Sequence, residues 1–390
     1  MDFLSDARRL VKKNIRDYGM YIALVVIIAV FAILDGNFLS PGNITNLINQ
    51  YGYIAVMAVA MTLVIVIKHI DLSVGYVAGF LGAVAAIFMT QLGISEILVV
   101  PIVLGVGVLV GLFNGSIVAF LKVPAFVVTL AGMLIFKGLL LLVTLKTGTI
   151  IIPNKAFNEI SNGFIPDIAN IPGVHMLTMI LGALGIVLFV MSEIKTRRNK
   201  MKYNFEVLSP IMLIIKLAFI AAIIIFFTVT LGLKQGFSWT IFVVLIVVAI
   251  FHFVTTKMVL GRHIYAVGGN GEAAELGGIK VSKITLIVFG SMGMLSALSG
   301  MMYASRLQSA TTTAGFGFEL DAIAAAFVGG ASANGGVGKV TGSIVGALVM
   351  GCLSNGMNLV GIDVSIQYVI RGAVLLLAVI FDITTRNRRK

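Results

Sequence analysis

The chain has 390 residues, 59% hydrophobic and 11% charged, with a formal net charge of +12. Soluble domains carry roughly 25% charged residues, so this composition, with a mean hydropathy of +1.08, excludes a soluble fold. The 28 Lys and Arg residues gather in short segments between apolar runs, which is the pattern that orients membrane helices and not one that binds nucleic acid.

Windows approaching the ~20 apolar residues that a spanning helix needs predict an all-α, polytopic transmembrane bundle. Barrel strands would be half as long and would alternate. About twelve spans are expected, near 18–34, 44–67, 73–91, 97–121, 124–145, 174–192, 208–231, 238–256, 282–303, 319–336, 340–360 and 365–382. They form a single transmembrane domain, 1–390, with a basic N-terminus (1–17) and a basic tail (383–390). No small-residue cleavage site precedes Asp35-Gly36, so the first span reads as an uncleaved anchor. With both termini cytoplasmic, 21 of the 28 cations fall on that side, Lys146, Lys155, Lys234 and Arg306 fall opposite, and Lys137, Lys216 and Arg371 fall within spans.

Between spans eight and nine, residues 257–283 form a polar cytoplasmic loop containing VGGNGEAAELGGIK, Val267 to Lys280. Gly271 and the Gly277–Gly278 pair bracket a short helix former, and Glu272 stands where a carboxylate favours the N-terminal dipole. A helix lying on lipid wants cations on its polar face and bulky apolar residues opposite. EAAEL has two acids and small alanines, so a protein groove is the expected partner.

Three ordered echoes predict an internal repeat. Ile70-Asp71-Leu72 matches Leu320-Asp321-Ala322, Asn114-Gly115 matches Asn355-Gly356, and Lys137-Gly138 matches Arg371-Gly372. The copies occupy spans 3–5 and 10–12 and run in opposite directions, a recurring plan of transporters in which the path lies at the repeat interface. Asp71 and Asp321 then mark equivalent breaks on opposite sides, either as helix starters or as transport residues. Gly329-Gly330 and Gly335-Gly336 predict a broken, re-entrant tenth span, tolerated only where it is buried in protein or lines a cavity.

Enzymatic signatures fail. Gly338-Lys339 mimics the end of a phosphate-binding loop, but Ala333 replaces its first glycine and Val340 the magnesium-binding hydroxyl. Cys352 is the single cysteine, and His69, His175, His252 and His263 lack metal-ligand spacing, so neither catalytic residues nor a cofactor or metal is expected in the chain itself. Few ionisable residues lie inside spans, which leaves a proton relay without parts. The chain reads as a path without an engine.

IDLSVG (70–75), KVPAFVVTLAGM (122–133), GRHIYAVGGNGEAAELGGI (261–279) and FELDAIAAAFVGGAS (318–332) resemble the permease family of bacterial ABC importers for ribose, xylose and related monosaccharides, over about residues 38–382. KHIDLS departs from that family's more usual GGIDLS. The resemblance implies a homodimer in the inner membrane, an ATPase partner carrying ATP-Mg, and an extracytoplasmic sugar-binding protein. It also implies that Glu272, Ala273, Ala274 and Gly278 belong to a coupling loop that docks on the ATPase. A basic loop and two extra hydrophobic runs (193–256) are similar to the longer xylose and multiple-monosaccharide permeases. Sugars offer apolar ring faces and hydroxyls, so Phe316, Phe318, Asn114, Asn334 and Asn355, with Asp71 and Asp321, are path candidates. Two alternatives stand beside import of a monosaccharide: a nucleoside or furanose permease, and an ion-coupled carrier, which would want carboxylates or histidines at mid-membrane.

Overall fold

The computed structural model describes residues 15–145, 148–169, 171–205, 207 and 209–387, without the side chains of 15–18 and 385–387. Arg8, Arg9, Lys12 and Lys13 of the basic N-terminus, Lys146, and 388–390 of the tail lie outside the described residues. The elements are α1 (Ile15–Leu34), α2 (Pro41–Val66), α3 (Val74–Thr90), α4 (Glu96–Phe120), α5 (Ala125–Thr144), β1 (Ile150–Ile151), α6 (Lys155–Asn162), α7 (Met176–Lys202), α8 (Pro210–Gly232), α9 (Trp239–Lys257), α10 (Val259–Gly269), α11 (Gly271–Leu276), α12 (Val281–Leu307), β2 (Ser309–Ala310), α13 (Phe318–Val328), α14 (Val340–Leu359) and α15 (Val364–Asn387).

Local chemistry sets several of these boundaries. Ser40 and Ser209 cap α2 and α8, each followed by Pro at the first helical position, where the missing N–H costs nothing. Ser95 and Ser238 cap α4 and α9 in the same way. Among the described residues nine helices are long and apolar enough to cross a membrane, and Gly19–Leu34 and Val74–Thr90 are shorter apolar helices. The expected span at 319–336 is instead an 11-residue helix, α13, followed by a non-helical loop. At 1.5 Å per residue α13 covers about 16 Å, roughly half the ~30 Å hydrocarbon core.

The bundle has a packed centre and a thin outer ring. In α2, α12 and α14 some 72–78% of the apolar window is buried, against 6% in α7, none in α8 and 6% in α15. The α7–α8 hairpin stands at the edge, held together partly by Lys216 on Glu193 (2.7 Å), whereas α9 sends Val247 and Phe251 into the main core. The expected insertion at 193–256 therefore divides between a peripheral hairpin, which begins earlier at Met176, and a central helix.

Small residues permit the tight crossings. A methyl added at Gly293 on α12 would collide with the Gly107 carbonyl of α4, and one at Gly111 with the Phe289 carbonyl. In lipid, where hydrophobic association between helices is weak, such close backbone approach supplies the packing energy. β1 and β2 pair antiparallel, Ile150 with Ala310 and Ile151 with Ser309. Beside them the Asn154-capped α6 buries Phe157 completely. Hydrogen bonds of Ser161 and Asn162 to Ser305 tie α6 to α12.

Candidate functional site

Two sites emerge, one inside the bundle and one at its basic end. Inside, α3 and α13 are both short helices preceded by non-helical chain, 67–73 and 308–317. Their N-termini meet: a methyl at Gly75 would strike the Glu319 carboxylate and the Gly315 carbonyl, and one at Gly79 would strike the Ala314 carbonyl. Helix N-termini that converge in this way bring the partial positive charge of two helix ends to one place.

Around this junction the candidates fall into three groups. Asp71, 3% exposed, accepts hydrogen bonds from the Ser73 N–H (2.9 Å) and hydroxyl (2.6 Å). Asn114 donates to that same hydroxyl at 3.1 Å, so these three side chains fix the entry to α3. Phe318 packs in an aromatic triad, with ring centroids 4.8 Å from both Tyr53 and Tyr303, which are 5.1 Å apart. Its neighbour Glu319 is buried against Gly75, and its Oε2 has no hydrogen-bond partner among the described residues. Asp321 sits 3.6 Å from Arg371 of α15. Lys137 instead lies 5.6 Å over the ring of Tyr76, in the first turn of α3. The matching cations of the expected repeat thus each approach the first turn of a broken helix.

The remaining candidates lie elsewhere. Asn355 exchanges two amide hydrogen bonds with Asn43 of α2, at 2.8 and 2.9 Å. Phe316 is exposed in the connection before α13. Asn334 is exposed in the loop between α13 and α14, next to Gly335 and Gly336, which rest on Val66 and Gly268 at the basic end. Tyr53, Tyr303 and Glu319 were absent from the sequence-based candidates. The signal for Glu319 was its place beside Phe318 in FELD, but its meeting with Gly75 is a long-range contact.

At the basic end α10 and α11 form a folded corner where one short helix was expected. Asn270 caps α11 by accepting from the Ala273 N–H at 3.0 Å, and Glu272 occupies the first turn. The helix ends in a Schellman motif: the Ile279 N–H reaches the Ala274 carbonyl and the Gly278 N–H the Glu275 carbonyl, both at 2.9 Å. Gly278 takes the left-handed position that this motif requires, at φ +84. Ala274 turns inward and is 7% exposed, whereas Glu272, Ala273 and Glu275 face out and Leu276 is 92% exposed. Lys68 from the α2–α3 connection donates to the Gly269 carbonyl at 3.2 Å, and Tyr265 donates to the Gly338 carbonyl at 2.6 Å. The corner is thereby fastened to the loops that flank both broken helices. Leu276 lay inside the EAAEL stretch without being singled out, because exposure depends on which face α12 covers.

Among the described residues no group of three His, Cys, Asp or Glu side chains is placed to hold a metal ion. Residues 43–379 match the family described as the permease component of branched-chain amino acid transport systems, and the chain belongs to that family. It is therefore a multi-pass bacterial membrane permease component. It is 38% identical over 379 residues to a xylose transport system permease protein of Haemophilus influenzae, covering 97% of this chain and 98% of the relative. Identity to the xylose transport system permease protein of Escherichia coli K12 is 37%, covering 96% and 93%. A ribose import permease protein of H. influenzae is 35% identical over 93% of this chain and 91% of its own length. No solved structure matches the chain.

Proposed function

We propose that this permease is the membrane-spanning subunit of an ATP-driven importer for a monosaccharide, xylose or a mixed pentose and hexose set. The observation that carries the reading is the capped, outward-facing α11 at the basic end, presenting Glu272, Ala273 and Leu276 on a corner fastened to the α2–α3 and α13–α14 connections. Such a corner is built to receive force from a partner. Near-full-length similarity to permease proteins named for xylose and ribose supports the substrate class. The basic end is cytoplasmic in this reading, since it collects Lys68, Lys122, Lys257, Lys280, Lys283 and Lys339.

In the proposed mechanism a separate ATPase subunit, carrying ATP-Mg, grips α11 and closes. Ala274, Lys68 and Tyr265 pass that movement to the α2–α3 and α13–α14 connections, and through them to the junction of α3 with α13. Small apolar contacts and the aromatic triad suit a neutral sugar, delivered from outside by a sugar-binding protein. Two copies of the chain enclose the path. A second reading, transport of a branched-chain amino acid, follows only from the description of the family. The test is co-purification with the cognate ATPase, with and without a Gly-Ser replacement of 271–278. Loss of the ATPase on replacement supports the docking; retention by the replaced chain removes α11 from it, and no retention by the intact chain removes the importer.

A further inference from the structure

At the basic end a cavity of about 540 Å³ opens where the α2–α3 connection, the α4–α5 connection and the α11–α12 corner converge. Lys68, Lys122 and Glu275 line its polar side, and Ile70, Val118 and Phe126 line its apolar side. The two lysines hold positive φ, 64 for Lys68 and 56 for Lys122, so both stand at sharp turns entering the cavity wall. Lys68 donates to Gly269, but the Lys122 ammonium and the Glu275 carboxylate have no partner among the described residues. A cation and an anion thus share one cavity without pairing.

The backbone adds a second, independent preference for an anion. The first turns of α5 (Ala125, Phe126) and of α12 (Val281, Ser282) both line the cavity. Neither helix has a side-chain cap, since the preceding residues are Pro124 and Lys280. Uncapped N-termini leave N–H groups aimed outward and favour phosphate. Phe126, 58% exposed, lines the cavity and continues it outward as apolar surface, beside Ile70, Val118 and Val123. That surface suits acyl chains and not a freely soluble ion.

We propose that this cavity binds the headgroup of a phospholipid, its phosphate on Lys68 and Lys122 and the amine of an ethanolamine headgroup on Glu275. Basic pockets between spanning helices on the cytoplasmic side are sites of this kind. Because Glu275 sits on α11, the bound lipid braces the corner against the bundle; this consequence rests on the importer reading, whereas the binding does not. The experiment is native mass spectrometry of the delipidated full chain, titrated with phosphatidylethanolamine or phosphatidylglycerol in the absence of any ATPase. Each Lys→Gln change weakens phospholipid retention about fivefold, Lys68→Gln with Lys122→Gln about 25-fold, and Lys122→Arg stays within about twofold of the parent. Glu275→Gln lowers retention of phosphatidylethanolamine but not of phosphatidylglycerol. Equal retention by parent and double variant, or an equal loss in Arg197→Gln with Arg198→Gln on α7, overturns the site. Displacement of the lipid by inorganic phosphate overturns the lipid as occupant in favour of a soluble phosphate.

Discussion

Leu276→Ala isolates docking from folding. The side chain is 92% exposed, so its removal takes almost nothing from the packing of the chain itself. The cap at Asn270 and the Schellman bonds at Gly278 and Ile279 are made by other residues, and alanine is a better helix former than leucine. If Leu276 enters a groove on the ATPase, truncation deletes three carbon groups from a buried contact, about 2 kcal/mol at ~0.8 kcal/mol each. The full three-group sum corresponds to roughly a 50-fold rise in Kd. Affinity of the detergent-solubilised chain for its ATPase, by microscale thermophoresis or pull-down titration, reads the change directly. The thermal midpoint of the isolated chain stays within 1 °C of the parent by expectation, about the shift of a ΔΔG of a few tenths of a kcal/mol. An unchanged Kd refutes the contact, and a large fall in the midpoint refutes the claim that Leu276 is idle in the free chain.

Gly278→Val meets open space but forces a β-branched residue to φ +84, costing about 1–2 kcal/mol locally; hydrogen exchange at 274–279 should rise while the remaining helices keep their protection. Arg371→Met strips the partner from Asp321, whose side chain is 16% exposed. Full burial would make that loss 3–5 kcal/mol, and partial exposure brings the expectation to about 2 kcal/mol. A further Asp321→Asn change should recover part of the thermal midpoint. Asp167 gives a pH test: desolvation acts to raise its pKa, but donations from Leu177, Met176 and Ile168 and the nearby His175 outweigh it, and the net direction is down. A depressed folded value means stability that is present above the unfolded value of ~3.9 and is lost as pH falls through the folded one. Exchange protection of the first turn of α7 should therefore persist at pH 5 and fall below about 3.9, and Asp167→Asn should abolish the dependence.

Much of this architecture is legible from local chemistry. Apolar windows locate the long helices, and Ser40-Pro41 and Ser209-Pro210 mark two helix starts. The paired glycines at 329–330 and 335–336 announce a break, and a break is found there. What escaped is tertiary. α10 carries apolar residues at 259, 260, 264 and 267, a helical spacing obscured by its three glycines. KAFNEISN has its cap in Asn154, but the burial of Phe157 that anchors α6 is a tertiary contact. The Gly75–Glu319 meeting joins residues 244 positions apart, and neither end announces the other. Asp321 was matched to Asp71, yet it stands inside the first turn of α13 whereas Asp71 precedes α3, so the two carboxylates do not hold equivalent positions.

The central claim, ATP-driven monosaccharide import through this chain, is tested most directly in proteoliposomes. The permease is reconstituted with its ATPase, with ATP-Mg on the ATPase side and the sugar-binding protein with labelled xylose on the other. The account predicts uptake that requires ATP and the binding protein, and that falls together with ATPase coupling when Leu276 is replaced by alanine. Uptake by the permease alone, driven by an ion gradient, would contradict it.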